Sequence, residues 1–118
     1  MKWIIPAVFG VMLASTALAE TRFLADMDDM PLAPGLTEID GERLVFDKAE
    51  GRILRTAARG AVTSVAVREF YVKTLPSLGW LPVSERPDKL LSDREGERLE
   101  ITLEGSSPVV VRFALQPR

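Results

Sequence analysis

The sequence predicts an α+β domain of two layers, with one amphipathic helix laid across an antiparallel sheet of five or six strands. Apolar residues recur at helical spacing in one stretch, from Val67 to Leu78. Beyond Trp80 they alternate with polar residues, as on a strand with one buried face. Short turns, Glu95-Gly96-Glu97 and Gly105-Ser106-Ser107-Pro108, separate those alternating runs and make them a meander.

Residues 1–19 have the three parts of a secretory signal peptide. Met1-Lys2 supplies a positive start, Trp3 to Leu13 is uncharged and apolar, and Ala17-Leu18-Ala19 places small residues where a signal peptidase reads, with cleavage expected before Glu20. This predicts a periplasmic protein. The alternative is an inner-membrane anchor formed by residues 3–19, at the short end of the roughly 20 apolar residues that span a bilayer. A lipoprotein anchor is excluded because no cysteine follows the small residues.

Cleavage leaves 118 less 19, or 99 residues, which is one domain's worth of chain. Of the 15 basic residues only Lys2 is lost, so 14 face 17 acids, a net charge of −3. Nucleic acid is not an expected partner, since the arginines are interleaved with acids instead of forming a basic patch. The chain has no cysteine and no histidine. An exported protein of this size without disulfides stands on its apolar core or on a partner.

Residues 20–35 read as an extended lead-in, because Asp26, Asp28 and Asp29 are followed by Pro31, Pro34 and Gly35. Leu32, Leu36 and Ile39 are available to dock it on the single domain expected over residues 36–118. Arg43 to Asp47 and Arg52 to Ala57 then form a β-hairpin around Lys48-Ala49-Glu50-Gly51. Val67, Phe70, Tyr71, Thr74, Leu75 and Leu78 make the helix stripe, with Thr63 or Ser64 as the cap. Pro76 kinks or ends the helix, Gly79 takes the left-handed cap position, and Trp80 folds back on the last turn. Strands follow at Trp80 to Ser84, Leu90 to Arg94, Arg98 to Glu104 and Val109 to Gln116.

Little in the chain signals catalysis, and no enzyme activity and no cofactor is expected. Without His or Cys there is no Ser-His-Asp triad, cysteine nucleophile or ordinary zinc site. Asp26, Asp28 and Asp29 resemble a hard-cation cluster but lack the rest of a calcium loop, so a solvated acidic segment is the plainer reading. Glu95, Glu97, Glu100 and Glu104 suit acid–base work in type, yet Arg94 and Arg98 beside them indicate cross-strand ion pairs. Arg52, Arg55 and Arg59 suggest an anion site, against which stands a solvated strand edge with Asp47 and Glu50 nearby. Met30, Pro31, Leu32, Tyr71 and Trp80 are the candidate partner contacts, although Tyr71 lies on the apolar stripe and Trp80 at a cap, both of which suit core roles.

Phe70-Tyr71, then Leu75-Pro76-x-Leu78-Gly79-Trp80, an acidic-basic hairpin and a closing Val-Arg-Phe-x-Leu strand resemble a group of small exported proteins of Gram-negative bacteria. The resemblance covers about residues 31 to 117. It implies fold and location and carries over no functional residue. The leading expectation is a non-enzymatic periplasmic protein-binding or accessory domain, a subunit on an envelope protein complex. It would engage its partner through the lead-in segment or an exposed sheet edge. The alternative is a small-molecule or polysaccharide binder with an aromatic-lined pocket. A carboxylate hydrolase is a third class, needing two acids across one cleft.

Overall fold

A computed structural model describes residues 21–118. The segment read as signal peptide or membrane anchor, residues 1–19, lies outside the described residues. The elements run β1 (Phe23–Leu24), β2 (Met27–Pro31), β3 (Thr37–Glu38), β4 (Leu44–Lys48), β5 (Gly51–Gly60), α1 (Ser64–Ser77), β6 (Leu81–Glu85), β7 (Lys89–Arg94), β8 (Glu97–Gly105) and β9 (Val109–Pro117). The fold is α+β, one helix packed with an antiparallel sheet.

The sheet is larger than the five or six strands expected. Seven strands pair in the order β3-β5-β9-β8-β7-β6, with β4 also on β5, and β1 and β2 form a separate two-stranded sheet. β3 and β4 share one margin of β5, Thr37 facing Arg59 and Leu44 facing Arg55, so they behave as one edge strand interrupted at residues 39–43. β3 has two residues, too few to leave an alternation in the sequence.

Register explains the core. Leu54, Leu115 and Leu99 face one another across β5, β9 and β8, followed by Thr56, Phe113 and Ile101, then Ala58, Val111 and Leu103. All nine are buried. The opposite face carries Arg55, Arg112, Arg98, Glu100, Thr102 and Glu104, the polar half of the same alternation.

The helix covers the apolar face with Val67, Tyr71 and Leu75, each worth roughly 1.5–3 kcal/mol on full burial. Thr63 caps it, its hydroxyl accepting from the Ala66 N–H at 3.1 Å. Pro76 does not end the helix, which runs through it to Ser77. One missing N–H in the last turn is tolerated because termination belongs to the residues that follow. Gly79 sits at φ +89° and donates to the Pro76 carbonyl, and Trp80 donates to the Leu75 carbonyl at 3.0 Å. This is a Schellman cap, which needs the left-handed residue that glycine supplies.

Residues 21–35 of the lead-in are docked on the body. β1 and β2 pair as a hairpin, and Leu24, Met27, Met30, Leu32, Ala33 and Leu36 belong to the same buried cluster as the helix and sheet. Three groups fasten the segment. The Tyr71 hydroxyl donates to the Pro31 carbonyl at 2.9 Å and accepts from the Ala33 N–H at 3.1 Å. Glu38 accepts from the Thr56 hydroxyl and from the Ala25 N–H. Arg94 donates to Asp29 at 2.6 Å and to the Leu78 carbonyl at 3.1 Å, with its guanidinium 4.3 Å from the Trp80 ring centre.

Candidate functional site

The five residues named as partner contacts are all interior. Met30, Tyr71 and Trp80 have no exposed surface, and Pro31 and Leu32 are buried beside them. Tyr71 stacks edge-on with Phe70 and Phe113, at ring separations of 5.0 and 5.6 Å. Burial pushes its phenol well above the ordinary tyrosine range, with the Ala33 hydrogen bond acting weakly the other way. The hydroxyl stays protonated and serves as a fixed structural donor. These residues hold the layers together and offer no surface to another molecule.

Half of the charged candidates, Asp29, Arg52, Glu97, Glu100 and Glu104, are held in ion pairs, while Asp26, Asp28, Arg55, Arg59 and Glu95 form none among the described residues. Arg52 pairs with Glu97 at 3.2 Å, Lys89 with Glu100 at 3.7 Å, and Arg112 lies between Glu42 and Glu104 at 3.0 and 3.1 Å. Asp29 is taken by Arg94, and no group of acids among the described residues is placed to hold a metal ion. Sequence reasoning passed over Asp93, which is buried and held by both arms of the Arg98 fork at 2.8 and 3.0 Å, with Arg118 at 3.4 Å. The Arg98 hydrogen bonds hold its carboxyl below the usual carboxylate range. It is an ion-pair centre that pins β7 to β8.

Of the concavities among the described residues, one lies between helix and sheet, one on the polar face, and one of about 470 Å³ opens at Leu32, Leu36 and Phe70. Between helix and sheet, at Tyr71, Leu75, Trp80 and Leu90, the free space is about 10 Å³, room for one water at most. On the polar face a groove of about 520 Å³ runs past Glu42, Leu44, Arg55, Glu100, Thr102 and Arg112. Its walls are mostly ion pairs and aliphatic stems, and the one aromatic in its lining, Phe113, is 1% exposed with its ring packed on Tyr71, so it offers no face for a sugar to stack on.

The surface the structure does leave open is β4. All five of its residues are exposed, and Leu44, Val45 and Phe46 are three of the seven large apolar side chains left exposed among the described residues. Pairing with β5 puts Leu44 and Phe46 on the polar face beside Arg55 and Ile53, and Val45 on the helix side beside Leu54. Three consecutive large apolar residues on a strand must send some to each face. The signal was therefore in the sequence, where Leu44-Val45-Phe46 read simply as the first arm of a hairpin.

The opposite margin differs. β6 also exposes Leu81 and Val83, but its pairing with β7 slips between Pro82 and Ser84. A proline and a bulge are devices that keep an edge from accepting another strand. β4 has neither: its register with β5 is unbroken over five residues.

Comparison of the chain with protein-family models, with curated proteins and with solved structures finds no match.

Proposed function

We propose that this chain is a non-enzymatic, exported protein-binding domain, acting in the periplasm as an accessory subunit of an envelope protein complex, and that it holds another polypeptide along β4. The observation that carries the reading is an unblunted strand edge bearing Leu44, Val45 and Phe46 in water. Such an edge accepts a strand through its free main-chain groups, with side-chain contacts giving selectivity. The filled space between helix and sheet and the pairing of Arg52 with Glu97 and of Glu104 with Arg112 leave less support for a small-molecule site or for carboxylate chemistry. The export and envelope parts rest on the signal-like residues 1–19 and on the resemblance to small exported proteins.

A photo-crosslinking residue at position 45, compared in living cells with one at position 95 in the β7–β8 turn, tests the binding part. Position 45 should yield a defined polypeptide adduct and position 95 none. Equal yields from both, or none from 45, would remove the reading. Mass spectrometry of the bait's own N-terminus tests export: a chain beginning at Glu20 supports a processed periplasmic protein, and retention of residues 1–19 overturns that part.

A further inference from the structure

The sequence around β4 reads Glu42-Arg43-Leu44-Val45-Phe46-Asp47-Lys48, and its charges are opposite in sign at equal distances from Val45. Arg43 and Asp47 lie two residues to either side, and Glu42 and Lys48 three. A strand with that arrangement is complementary to itself when reversed. Building on the binding role assigned to this edge, we propose that the strand β4 receives is β4 of a second copy, antiparallel to the first about a twofold axis at Val45.

Backbone geometry fits this register. The two-residue turn Ala49-Glu50 makes Lys48 and Gly51 a hydrogen-bonded pair, and such pairs alternate with non-bonded ones along an antiparallel ladder. Leu44, Phe46 and Lys48 therefore direct their main-chain groups to β5, while Val45 and Asp47 turn theirs outward, as Arg43 does if the strand is extended by one residue. In the proposed register outward groups meet outward groups. Val45 pairs with Val45 of the second copy, and Arg43 with its Asp47.

Side chains fit as well. Val45 and Asp47 point to the helix side, as Arg43 does once the strand is extended by one residue, so an apolar contact there is flanked by two Arg43–Asp47 ion pairs. On the polar face Leu44 lies opposite Phe46 of the second copy, covering both exposed side chains. Shifting the axis to Leu44 would set Arg43 against Val45, and shifting it to Phe46 would set Asp47 against Val45 and Lys48 against Leu44. Both shifts spend the charges on apolar neighbours. The shifts by two, to Arg43 or to Asp47, would set Arg43 against Arg43 or Asp47 against Asp47. Charge thus selects one register, as a closed twofold interface requires.

The contact is a short strand, small beside the roughly 1,200–2,000 Å² of a standard interface. The dimer is expected to dissociate on dilution. Sedimentation of the purified protein over a wide concentration range should show the mass rising from one chain to two. Arg43→Asp and Asp47→Arg each place like charges opposite at both symmetry-related positions and should weaken association about tenfold or more. An equimolar mixture of the two variants should form a 1:1 heterodimer, and the double reversal R43D/D47R should restore the homodimer. Val45→Pro removes an outward N–H without breaking the bonds to β5 and should give a monomer with unchanged circular dichroism.

A wild-type protein that stays monomeric throughout, or single reversals that associate as wild type does, would overturn the proposal. A monomer that still crosslinks from position 45 to a different polypeptide sinks the second-copy proposal while leaving the binding edge in place. A monomer that crosslinks to nothing from that position sinks both.

Discussion

The β1–β2 hairpin and β4 are both marginal pieces of chain, and they dispose of their apolar residues in opposite ways. The hairpin segment is acidic and proline-bearing, yet Leu24, Met27 and Met30 all turn inward and are almost wholly buried. β4 is mostly apolar, yet its five residues all face solvent. Composition alone would assign the first to the surface and the second to the core. What decides is the element opposite: α1 and the sheet offer the hairpin an apolar bed and three polar fasteners, whereas β4 lies at the outer margin of β5. Fastening of the hairpin and exposure of β4 can each be put to a test.

The largest effect is expected at Tyr71, the hinge pin of the hairpin side. Tyr71→Ala removes a fully buried ring packed on Phe70 and Phe113 and should cost about 3–5 kcal/mol, a large share of the stability of a small domain. Tyr71→Phe keeps the ring but leaves the Pro31 carbonyl and the Ala33 N–H without their partner, at about 1–3 kcal/mol. Urea denaturation reads both. A Tyr71→Phe protein as stable as wild type would mean that the hairpin is held by apolar contact alone.

Gly60 marks where the same segment crosses β5. A methyl group there would run into the carbonyl of Gly35, so Gly60→Ala must push residues 32–36 off the sheet or bend the end of β5. About 1–3 kcal/mol is expected, as for other overpacked sites. Hydrogen exchange should show faster exchange at Leu32 and Leu36, which donate to Arg22 and Ala33, with β8 unaffected.

Arg94→Met comes next. It keeps an apolar stem over Trp80 but loses the contacts to Asp29 and the Leu78 carbonyl, and about 1 kcal/mol is expected because Asp29 is half exposed. The loss should appear as easier protease cleavage at Ala25-Asp26, the tip of the hairpin. Unchanged cleavage would show that Tyr71 and Glu38 suffice to hold it.

How much of this was legible follows from the length and spacing of each pattern. The helix stripe, its Thr63 cap and its Gly79-Trp80 end are local signals, and the structure repeats them; the four strands after it also begin and end within about two residues of where alternation placed them. β5 was legible to Ala57 and runs on to Gly60, because Ala58, Arg59 and Gly60 carry no strand preference and are held there by pairing with β9. The hairpin was illegible: Leu24, Met27 and Met30 stand three apart among acids, a spacing that fits neither a strand of period two nor a helix this short. Its pairing is set by the surface it lands on. For the site, the reading of Tyr71 and Trp80 as core residues was available from the stripe and the cap. That Leu44-Val45-Phe46 must send apolar side chains to both faces was legible as well; that β4 lies at the margin was not, since a sequence does not say which strand of a sheet is left at the edge.

The smallest effect on folding, and the sharpest test of the contrast, is expected on β4. Phe46→Ser removes a side chain that is already 52% exposed, so in dilute protein its unfolding free energy should lie within about 0.5 kcal/mol of wild type. At high concentration the two should part. Anything that binds the folded chain alone raises its apparent stability by mass action, so a wild-type edge that pairs with a second copy should melt higher as the protein is concentrated. Phe46→Ser, lacking half of the Leu44–Phe46 contact, should show a flatter dependence. A melting temperature for wild type that ignores concentration would argue against self-pairing. A large loss for Phe46→Ser even in dilute solution would mean that Phe46 supports its own chain, and the contrast between the buried hairpin and the open edge would fall with it.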